Sequence, residues 1–323
     1  MKNILITGGC GFVGSHLSEH LLKKGFKIKI FDRYNSNSDW GWIEHSKYKK
    51  HFEVILGDIR DIDSVKKAVE GSDVVIHLAA LIGIPYSYIS PLAYVKTNIE
   101  GTYNVLEASK ELNIGKIIIT STSEVYGSAL FLPINESHPL QPQSPYSASK
   151  IGADNLTMSY YNSFDLPVTI IRPFNTYGPR QSARAVIPTI VTQLLSSKKI
   201  YLGNTTTMRD LTYVSDLCNA YEILLNNKEF NGEILNVGSN KYISIDELYN
   251  KISKILGINK HYIVKSERVR KSKSEVNKLL CDNSKLLKNT LWRPKIKLDN
   301  GLKKTINWIK QNRDIYKEYL YNV

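Results

Sequence analysis

Residues 3–14 read NILITGGCGFVG, an apolar run that passes directly into a turn with glycines at spacing G-x-x-G-x-x-G. Glycine tolerates positive φ and lets a backbone turn approach a pyrophosphate closely. Residues 13–23 predict an amphipathic helix whose first N–H groups and positive dipole end attract phosphate. Glycine turns also occur without ligands, but this strand–turn–helix context predicts a dinucleotide site. The predicted contacts are Gly8, Gly11, Phe12, Val13 and Gly14.

Short apolar runs alternate with helical patterns through the first half of the chain. The strand candidates are residues 3–7, 27–31, 53–56, 74–77, 116–120 and 167–171, and the helix candidates include 13–23, 62–69 and 91–112. Such alternation is typical of βαβ units, so we expect an α/β fold with a doubly wound parallel Rossmann sheet. After Arg172 the pattern becomes irregular, which predicts a smaller C-terminal α/β substrate lobe over the carboxyl edge of the sheet. The expected division is 1–172 plus 211–238 for the dinucleotide-binding domain and 173–210 plus 239–323 for the nucleotide-sugar lobe.

The composition is that of an ordinary globular chain, with 42% hydrophobic and 23% charged residues in a length of 323. No apolar run approaches the roughly 20 residues that cross a bilayer, so we expect no membrane span. The first residues run straight into the glycine turn, which favours a strand over a secretory signal. Three widely separated cysteines fit a reducing compartment and predict neither disulfides nor a metal site, and we expect a cytoplasmic location.

The formal net charge is +13, with a basic cluster between residues 265 and 273. Three interpretations are open: nucleic-acid binding, a solvated lysine-rich surface, and an anion site for a diphosphate. The sequence has no basic stripe with interleaved aromatic residues, so we expect no nucleic-acid partner. A solvated surface is favoured for most of this charge, and an anion site for part of it.

Asp32 ends the second predicted strand, 18 residues beyond Gly14. A carboxylate there accepts hydrogen bonds from ribose hydroxyls and repels the extra phosphate of NADP, which favours NAD as the cofactor. Arg33 alongside leaves NADP open, and a turn-forming aspartate is the structural alternative. Further predicted cofactor contacts are Asp58, a candidate for the adenine, with Ile59 and Ala79.

Two distant segments carry candidate chemistry. The first is Thr122-Ser123-Glu124, and the second contains Tyr146 and Lys150 in a Tyr-x-x-x-Lys pattern. Residues four apart share one face of a helix, so the phenol and the ammonium can meet. A phenol with a pKa near 10 is a poor base at neutral pH, and a neighbouring ammonium favours the phenolate. The pattern alone is common, but following a dinucleotide-binding N-terminus it predicts a catalytic pair.

Motifs along nearly the whole chain resemble the extended short-chain dehydrogenase/reductase family. They are TGGCGFVG (7–14), Asp32, GDIRD (57–61), HLAA (77–80), NIEGTYNVLEA (98–108), YSASK (146–150), RPFNTYGP (172–179), RDLTYVSD (209–216) and NVGS (236–239). The resemblance implies a Rossmann lobe, a tightly held nicotinamide cofactor and a nucleotide-sugar substrate. It also implies a homodimer that packs through two helices per subunit, here 91–112 and 145–162.

Residues 121–127, STSEVYG, resemble the 4,6-dehydratase branch of this family. That branch usually has Thr-Asp-Glu, so Ser123 replaces the usual candidate for a general acid. Thr-Ser-Glu is also similar to UDP-glucuronate decarboxylases. Segments 38–46, 79–88 and 274–285 resemble dehydratases of the legionaminic acid pathway, which make 4-keto-6-deoxy N-acetylglucosamine nucleotides. The implied substrate is GDP-linked N-acetylglucosamine, although the residues themselves do not decide between GDP, UDP and dTDP.

The chemistry implied by this resemblance has three parts. Tyr146, held by Lys150 and aided by Thr122, removes the proton of the sugar C4 hydroxyl while C4 gives a hydride to NAD. Glu124 then removes the acidified C5 proton, water leaves from C6, and the hydride returns there. Because the Ser123 hydroxyl is a poor acid, either Glu124 protonates the departing oxygen or a water held by Ser123 relays the proton.

A diphosphate needs fixed positive donors. By resemblance these are Arg209 and Arg270, with Asn175 at the phosphates or sugar and Arg184 as a looser candidate; each arginine taken alone is equally consistent with a solvated surface. Three other activities stay open: a nucleotide-sugar epimerase, a UDP-glucuronate-type decarboxylase, and a non-catalytic NAD-binding sensor, since a fold does not define a function.

Overall fold

A computed structural model of the chain describes residues 2–316. The strands are β1 Asn3–Thr7, β2 Lys27–Arg33, β3 Phe52–Gly57, β4 Val74–His77, β5 Lys116–Thr120, β6 Val168–Pro173, β7 Asn175–Tyr177, β8 Ile200–Leu202, β9 Met208–Tyr213, β10 Glu233–Val237, β11 Tyr242–Ser244 and β12 Tyr262–Val264. The helices are α1 Phe12–Lys23, α2 Ile62–Val69, α3 Ile84–Ile89, α4 Pro91–Tyr94, α5 Gly101–Glu111, α6 Pro145–Phe164, α7 Val186–Ser196, α8 Val214–Leu224, α9 Ile245–Leu256, α10 Ser284–Asn289 and α11 Leu298–Gln311.

Seven parallel strands form the central sheet in the order β10-β6-β5-β4-β1-β2-β3. Strand order reverses between β1 and β4, where Thr7 of β1 lies opposite His77 of β4. Ligands of open α/β sheets bind in the crevice that such a reversal leaves at the carboxyl ends of the strands. The predicted doubly wound α/β fold is therefore confirmed. All six predicted strands belong to this sheet, with bounds that agree to within two residues.

The sheet is covered on both faces because successive residues of each strand point in opposite directions. Ile4 and Ile6 of β1 belong to a core shared with α1 and α8. Leu5, between them, belongs to the opposite core, which α2, α5 and α6 cover. A continuous run of buried apolar residues is what a doubly covered parallel strand requires, and each of these three side chains is fully buried.

The predicted helix over 91–112 is interrupted in its middle. Residues Val95–Glu100 form a π-helical turn between α4 and α5. Asn98, in this turn, donates from Nδ2 to the Ser149 hydroxyl of α6 at 2.9 Å and to the Leu81 carbonyl at 3.0 Å. A π-turn inserts one extra residue per turn, so it turns Asn98 towards α6 and the β4 loop.

The remaining strands form two small sheets over the carboxyl edge of the large one. Their orders are β11-β9-β7 and β12-β8. The proposed boundary at residue 211 falls within β9, and the division into lobes stays a prediction whose last residues, 317–323, lie outside the described part. Within residues 2–316, no helix is long and apolar enough to cross a membrane. The same residues contain no cluster of three or more His, Cys, Asp or Glu side chains suited to a metal ion.

Candidate active site

The first turn of α6 positions the candidate base. Pro145 occupies the first helical position, and the Ser144 hydroxyl accepts from the Ser147 amide at 3.1 Å in a capping box. This cap starts the helix one residue before Tyr146 and so directs that side chain towards the end of β5. Tyr146 is 7% exposed, and its ring packs edge-on against Tyr94 at 6.2 Å between centroids.

The surroundings of the Tyr146 phenol favour its protonated form. Burial raises its pKa, and the charge of Glu124 raises it further, whereas a hydrogen bond with Thr122 acts in the opposite direction. The sequence led us to expect an ammonium that stabilises the phenolate. Desolvation is the largest influence on the pKa of the phenol instead, because a buried phenolate has lost the water that would solvate it.

Lys150 lies one turn further along α6 and is 3% exposed. Its Nζ donates to the carbonyl of Thr120, the last residue of β5, at 2.6 Å. Burial lowers the pKa of Lys150 to about 8, and the nearby Asp154 carboxylate partly offsets this effect. The ammonium is thus anchored to a backbone carbonyl at the end of β5, and Lys150 lies about one helical turn after Tyr146 on α6.

The Thr-Ser-Glu segment forms the turn that follows β5. Residues Ser123–Tyr126 make one turn of 3₁₀ helix, and the Thr122 hydroxyl caps it by accepting from the Glu124 amide at 3.2 Å. Ser123 is 2% exposed, whereas Glu124 is half-buried. The Glu124 charge raises the pKa of both the Tyr146 phenol and the Arg209 guanidinium. The charge of Glu124 therefore acts on both the candidate base and a candidate phosphate ligand.

The glycine turn fits a dinucleotide. Gly8 has φ +72°, and a Cβ there would lie 2.8 Å from the Ala79 amide nitrogen; a Cβ at Gly14 would lie 2.2 Å from the Gly8 carbonyl oxygen. A Cβ at Gly11, in contrast, would meet only the Gly8 carbonyl oxygen, at 3.4 Å, so space is left in front of the turn. No side chain caps the start of α1 at Gly11, Phe12 and Val13, which leaves its first amides available to a phosphate.

The two predicted acidic cofactor residues lie at the carboxyl ends of two strands: Asp32 is the next-to-last residue of β2, and Asp58 directly follows β3. Asp32 accepts from the Cys10 amide through Oδ2 and from the Arg33 amide through Oδ1, both at 2.8 Å, which ties the carboxylate to the glycine turn. Asp58 is engaged by Arg60, whose Nε donates to its Oδ1 at 2.9 Å, and this hydrogen bonding lowers the pKa of Asp58.

The other two predicted cofactor residues lie deeper. Ile59 is 8% exposed and packs where a Cβ at Gly101 would stand. The Ala79 amide donates to the Thr7 hydroxyl at 3.3 Å at the reversal point of the sheet. The predicted cofactor residues thus follow the carboxyl ends of β1, β2, β3 and β4.

Two of the predicted anion ligands share one carboxylate. Glu275 Oε1 lies 3.4 Å from Arg209 Nη2 and 3.7 Å from Arg270 Nη1. Arg209 is only 7% exposed, and burial lowers its pKa. Asn175 has a buried Oδ1 that receives no hydrogen bond from the described residues. A buried oxygen without a donor is costly, so it indicates a position that a ligand donor would satisfy.

Arg184 is exposed and lies beside Gly83, at the start of α3. Its Nε lies 3.4 Å from the Ser182 hydroxyl, and its Nη1 lies 2.9 Å from the position of a Cβ on Gly83. Its charge also acts on the phenol of Tyr94, which packs against Tyr146. Its neighbours thus differ from those of Arg209 and Arg270, which share Glu275.

Sequence reasoning missed three functional neighbours. Tyr94 packs against Tyr146, and Glu275 pairs with Arg209 and Arg270. Asp154 lies one turn after Lys150 on α6, and its charge acts on the ammonium. For Asp154 a signal existed, because Tyr146, Lys150 and Asp154 recur every four residues on one helix face. For the others no local signal existed, since their contacts join segments far apart in the chain.

Residues 5–305 match the family described as GDP-mannose 4,6 dehydratase. The chain belongs to this family. A dTDP-D-glucose 4,6-dehydratase of Dictyostelium discoideum is 36% identical over 271 residues, which cover 79% of this chain and 62% of that protein. A UDP-glucuronate 4-epimerase of Thermodesulfobacterium geofontis is 32% identical over 326 residues, covering 98% and 99% of the two chains.

A solved structure supports the same assignment. The dTDP-glucose 4,6-dehydratase DesIV of Streptomyces venezuelae, described with NAD and TYD bound, has a TM-score of 0.88 and 28% identity, covering 98% of this chain and 99% of that one. Members and relatives of the family are nucleotide-sugar dehydratases and epimerases, so the prediction of an enzyme is confirmed. Specificity for GDP-linked N-acetylglucosamine stays a prediction.

Proposed function

We propose that this chain is an NAD-dependent nucleotide-sugar 4,6-dehydratase that forms a 4-keto-6-deoxy sugar. One observation carries the choice of reaction: Glu124 donates its amide to the hydroxyl of Thr122, the hydrogen-bond partner of the Tyr146 phenol, so a carboxylate follows that partner by two residues in the same 3₁₀ turn. Oxidation and re-reduction at C4 need the tyrosine alone, whereas abstraction of a C5 proton needs a second base beside it.

NAD held by the glycine turn and Asp32 would supply the hydride acceptor for C4 of the sugar and the hydride donor for C6. Its binding site is supported by the open space before Gly11, the uncapped start of α1 and the Asp32 carboxylate. A carboxylate at the end of the second strand favours ribose hydroxyls over a 2′-phosphate, so we propose NAD rather than NADP.

Tyr146 removes the C4 hydroxyl proton, and Thr122, its hydrogen-bond partner, orients the same group. Lys150, fixed by the Thr120 carbonyl, places a positive charge beneath the phenolate as it forms. The high pKa of the phenol means that this charge is needed at the moment of proton transfer rather than in the resting protein.

Glu124 removes the C5 proton and then delivers it to the oxygen that leaves C6. A single carboxylate can do both because deprotonation makes it an acid for the next step. Ser123 is buried, and its hydroxyl is too weak an acid to protonate the departing oxygen by itself. The alternative, a water held by Ser123, predicts a loss of dehydration when that hydroxyl is removed.

The diphosphate of the substrate is proposed to bind Arg209 and Arg270, while the unpartnered Oδ1 of Asn175 accepts a hydrogen bond from a hydroxyl of the sugar. Arg184, beside Tyr94, is proposed to contact the sugar side of the substrate. The resemblance of segments 38–46 and 79–88 to dehydratases of N-acetylglucosamine nucleotides supports GDP-linked N-acetylglucosamine as the substrate.

Epimerisation is the second candidate, because the epimerase relative is aligned along nearly its whole length. The test is to incubate the protein, without added cofactor, with GDP- and UDP-N-acetylglucosamine and to weigh the products. Dehydration removes the mass of one water, decarboxylation removes carbon dioxide, and epimerisation changes no mass. An unchanged mass with an altered sugar configuration would reject the dehydratase assignment.

The expected homodimer is supported by exposed apolar side chains on the predicted helices. Leu92, Val95 and Tyr103 on the 91–112 segment and Phe164 at the end of α6 are all exposed. Paired helices from two subunits would remove this surface from water. The cytoplasmic location stays a prediction that the three buried free thiols, Cys10, Cys218 and Cys281, are compatible with.

A further inference from the structure

A buried ion pair lies directly behind the catalytic helix face. Asp154, one turn after Lys150 on α6, and Arg172 of β6 are each 2% exposed. Asp154 Oδ2 accepts from Arg172 Nε at 3.0 Å and Nη2 at 2.9 Å. Burying two charges costs desolvation energy that well-packed apolar residues would avoid. Stability alone therefore gives no reason for a charged pair at this point.

The aspartate also holds the end of β5. The Ser121 hydroxyl donates to Asp154 Oδ2 at 2.8 Å, while Lys150 donates to the adjacent Thr120 carbonyl at 2.6 Å. Lys150 and Asp154, one helical turn apart on α6, are thus hydrogen-bonded to Thr120 and Ser121 at the end of the strand. Thr122, the next residue, is the hydrogen-bond partner of the Tyr146 phenol. The position of Thr122 therefore depends on these two hydrogen bonds.

Arg172 extends the network to the turn that carries Glu124. Its Nη1 donates to the Tyr126 hydroxyl at 3.0 Å, and its guanidinium lies 4.9 Å from the centroid of the Tyr126 ring. The Tyr126 hydroxyl donates onward to Asn236 Oδ1 at 2.7 Å. Tyr126 is the last residue of the 3₁₀ turn that contains Glu124. The end of β5 and this turn are therefore both hydrogen-bonded to the same ion pair.

Several titratable groups face the Lys150 ammonium. His77 of β4 is neutral, since burial lowers its pKa to about 3, and Tyr146 of α6 is protonated at rest. Arg172 of β6 acts through its pairing with Asp154. Asp154 is the anion that offsets the burial of Lys150. The Oδ1 atom of Asp154 receives no hydrogen bond from the described residues, so the contacts of this carboxylate are made through Oδ2.

We propose that Asp154 is a positioning residue for C4 oxidation: it places a negative charge one helical turn from the Lys150 ammonium and holds the Thr120–Thr122 strand end against α6. The inference rests on the proposed function, because Lys150 has this role only where Tyr146 oxidises a sugar carbon. Asp154 acts through Lys150 and Ser121, not on the substrate.

The test compares the pH profile of kcat for wild type and Asp154→Asn. Without the carboxylate the pKa of Lys150 falls, so the ammonium is lost at lower pH. The alkaline limb of kcat should move down by about 1 pH unit or more, with little change in KM. Asp165→Asn is the matched control, because Asp165 ends the same helix, is exposed and has φ +52°, which asparagine tolerates. Its profile should equal that of wild type.

Two further variants separate charge from folding. Ser121→Ala keeps the carboxylate, so it should lower kcat at every pH without moving the alkaline limb. Asp154→Asn combined with Arg172→Gln removes both buried charges and so avoids an unpaired one. A wild-type alkaline limb in Asp154→Asn would overturn the inference. In the double variant the limb should lie closer to that of wild type, because the positive charge of Arg172 is removed together with the carboxylate. If wild type converts no nucleotide sugar, the proposed function fails instead.

Discussion

Glu124→Gln separates oxidation from dehydration. The substitution keeps the size of the side chain but removes the base that takes the C5 proton. General acid–base catalysis contributes about 10²–10⁴-fold, so loss of water should slow by that factor. C4 oxidation uses Tyr146 and Lys150, which the change leaves in place. The reduced cofactor should therefore accumulate in a single turnover, where wild type returns it to the oxidised form.

The same variant has a pH signature. The Glu124 charge raises the pKa of the Tyr146 phenol, which acts in its deprotonated form. Removing that charge lowers the phenol pKa, so the phenolate forms at lower pH. The acidic limb of the oxidation half-reaction should consequently shift to lower pH in Glu124→Gln. Loss of a positive charge near Tyr146 would instead raise the pKa of the phenol and move this limb to higher pH.

The assay is stopped-flow absorbance of the reduced nicotinamide, followed by mass analysis of the quenched sugar nucleotide. Ser123→Ala is the matched neighbour control and should dehydrate at close to the wild-type rate if Glu124 is both base and acid. Undiminished dehydration in Glu124→Gln would refute the role given to this carboxylate. Loss of dehydration in Ser123→Ala would transfer the acid role to a water held by that serine.

Three other predictions use separate parts of the molecule. Gly14→Ala would place a Cβ 2.2 Å from a backbone carbonyl of the glycine turn, so it should destabilise the fold by about 1–3 kcal/mol. It should also abolish the increase in melting temperature that NAD produces. Gly115→Ala is the control, because a Cβ there has its nearest neighbour at 3.6 Å, and it should have neither effect. Glu275→Gln removes the carboxylate that pairs with both arginines of the proposed phosphate site. It should tighten GDP binding, measured by calorimetry, by roughly fivefold, or about 1 kcal/mol. Glu267→Gln removes an exposed carboxylate and should leave GDP binding unchanged. Leu92→Lys places a charge on the proposed dimer surface and should yield monomers in sedimentation.

A contradictory result has a distinct meaning in each case. Retained NAD binding in Gly14→Ala would place the cofactor elsewhere. Weaker GDP binding in Glu275→Gln would mean that this carboxylate orders the arginines rather than competing with the diphosphate. An intact dimer in Leu92→Lys would move the interface away from α4.

The order of elements around the sheet was predictable because its signals are local. Apolar runs between glycine and helix-capping residues define the strands, and β1, β4 and β5 were predicted with the bounds observed. The glycine turn was predictable for the same reason, since close approach of backbone segments at Gly8 and Gly14 excludes any side chain. The spacing of Tyr146 and Lys150 likewise follows from the helical repeat alone.

By itself, then, the sequence determined a doubly wound sheet, a dinucleotide turn and a tyrosine–lysine helix face. Only the tertiary structure decided what surrounds them: the π-turn that directs Asn98 to α6, the ion pair of Asp154 with Arg172, and the carboxylate of Glu275 between two arginines. Each of these contacts joins residues of different elements. Their energies depend on burial and on charge separation in space, and neither quantity is encoded in the local periodicity of the chain.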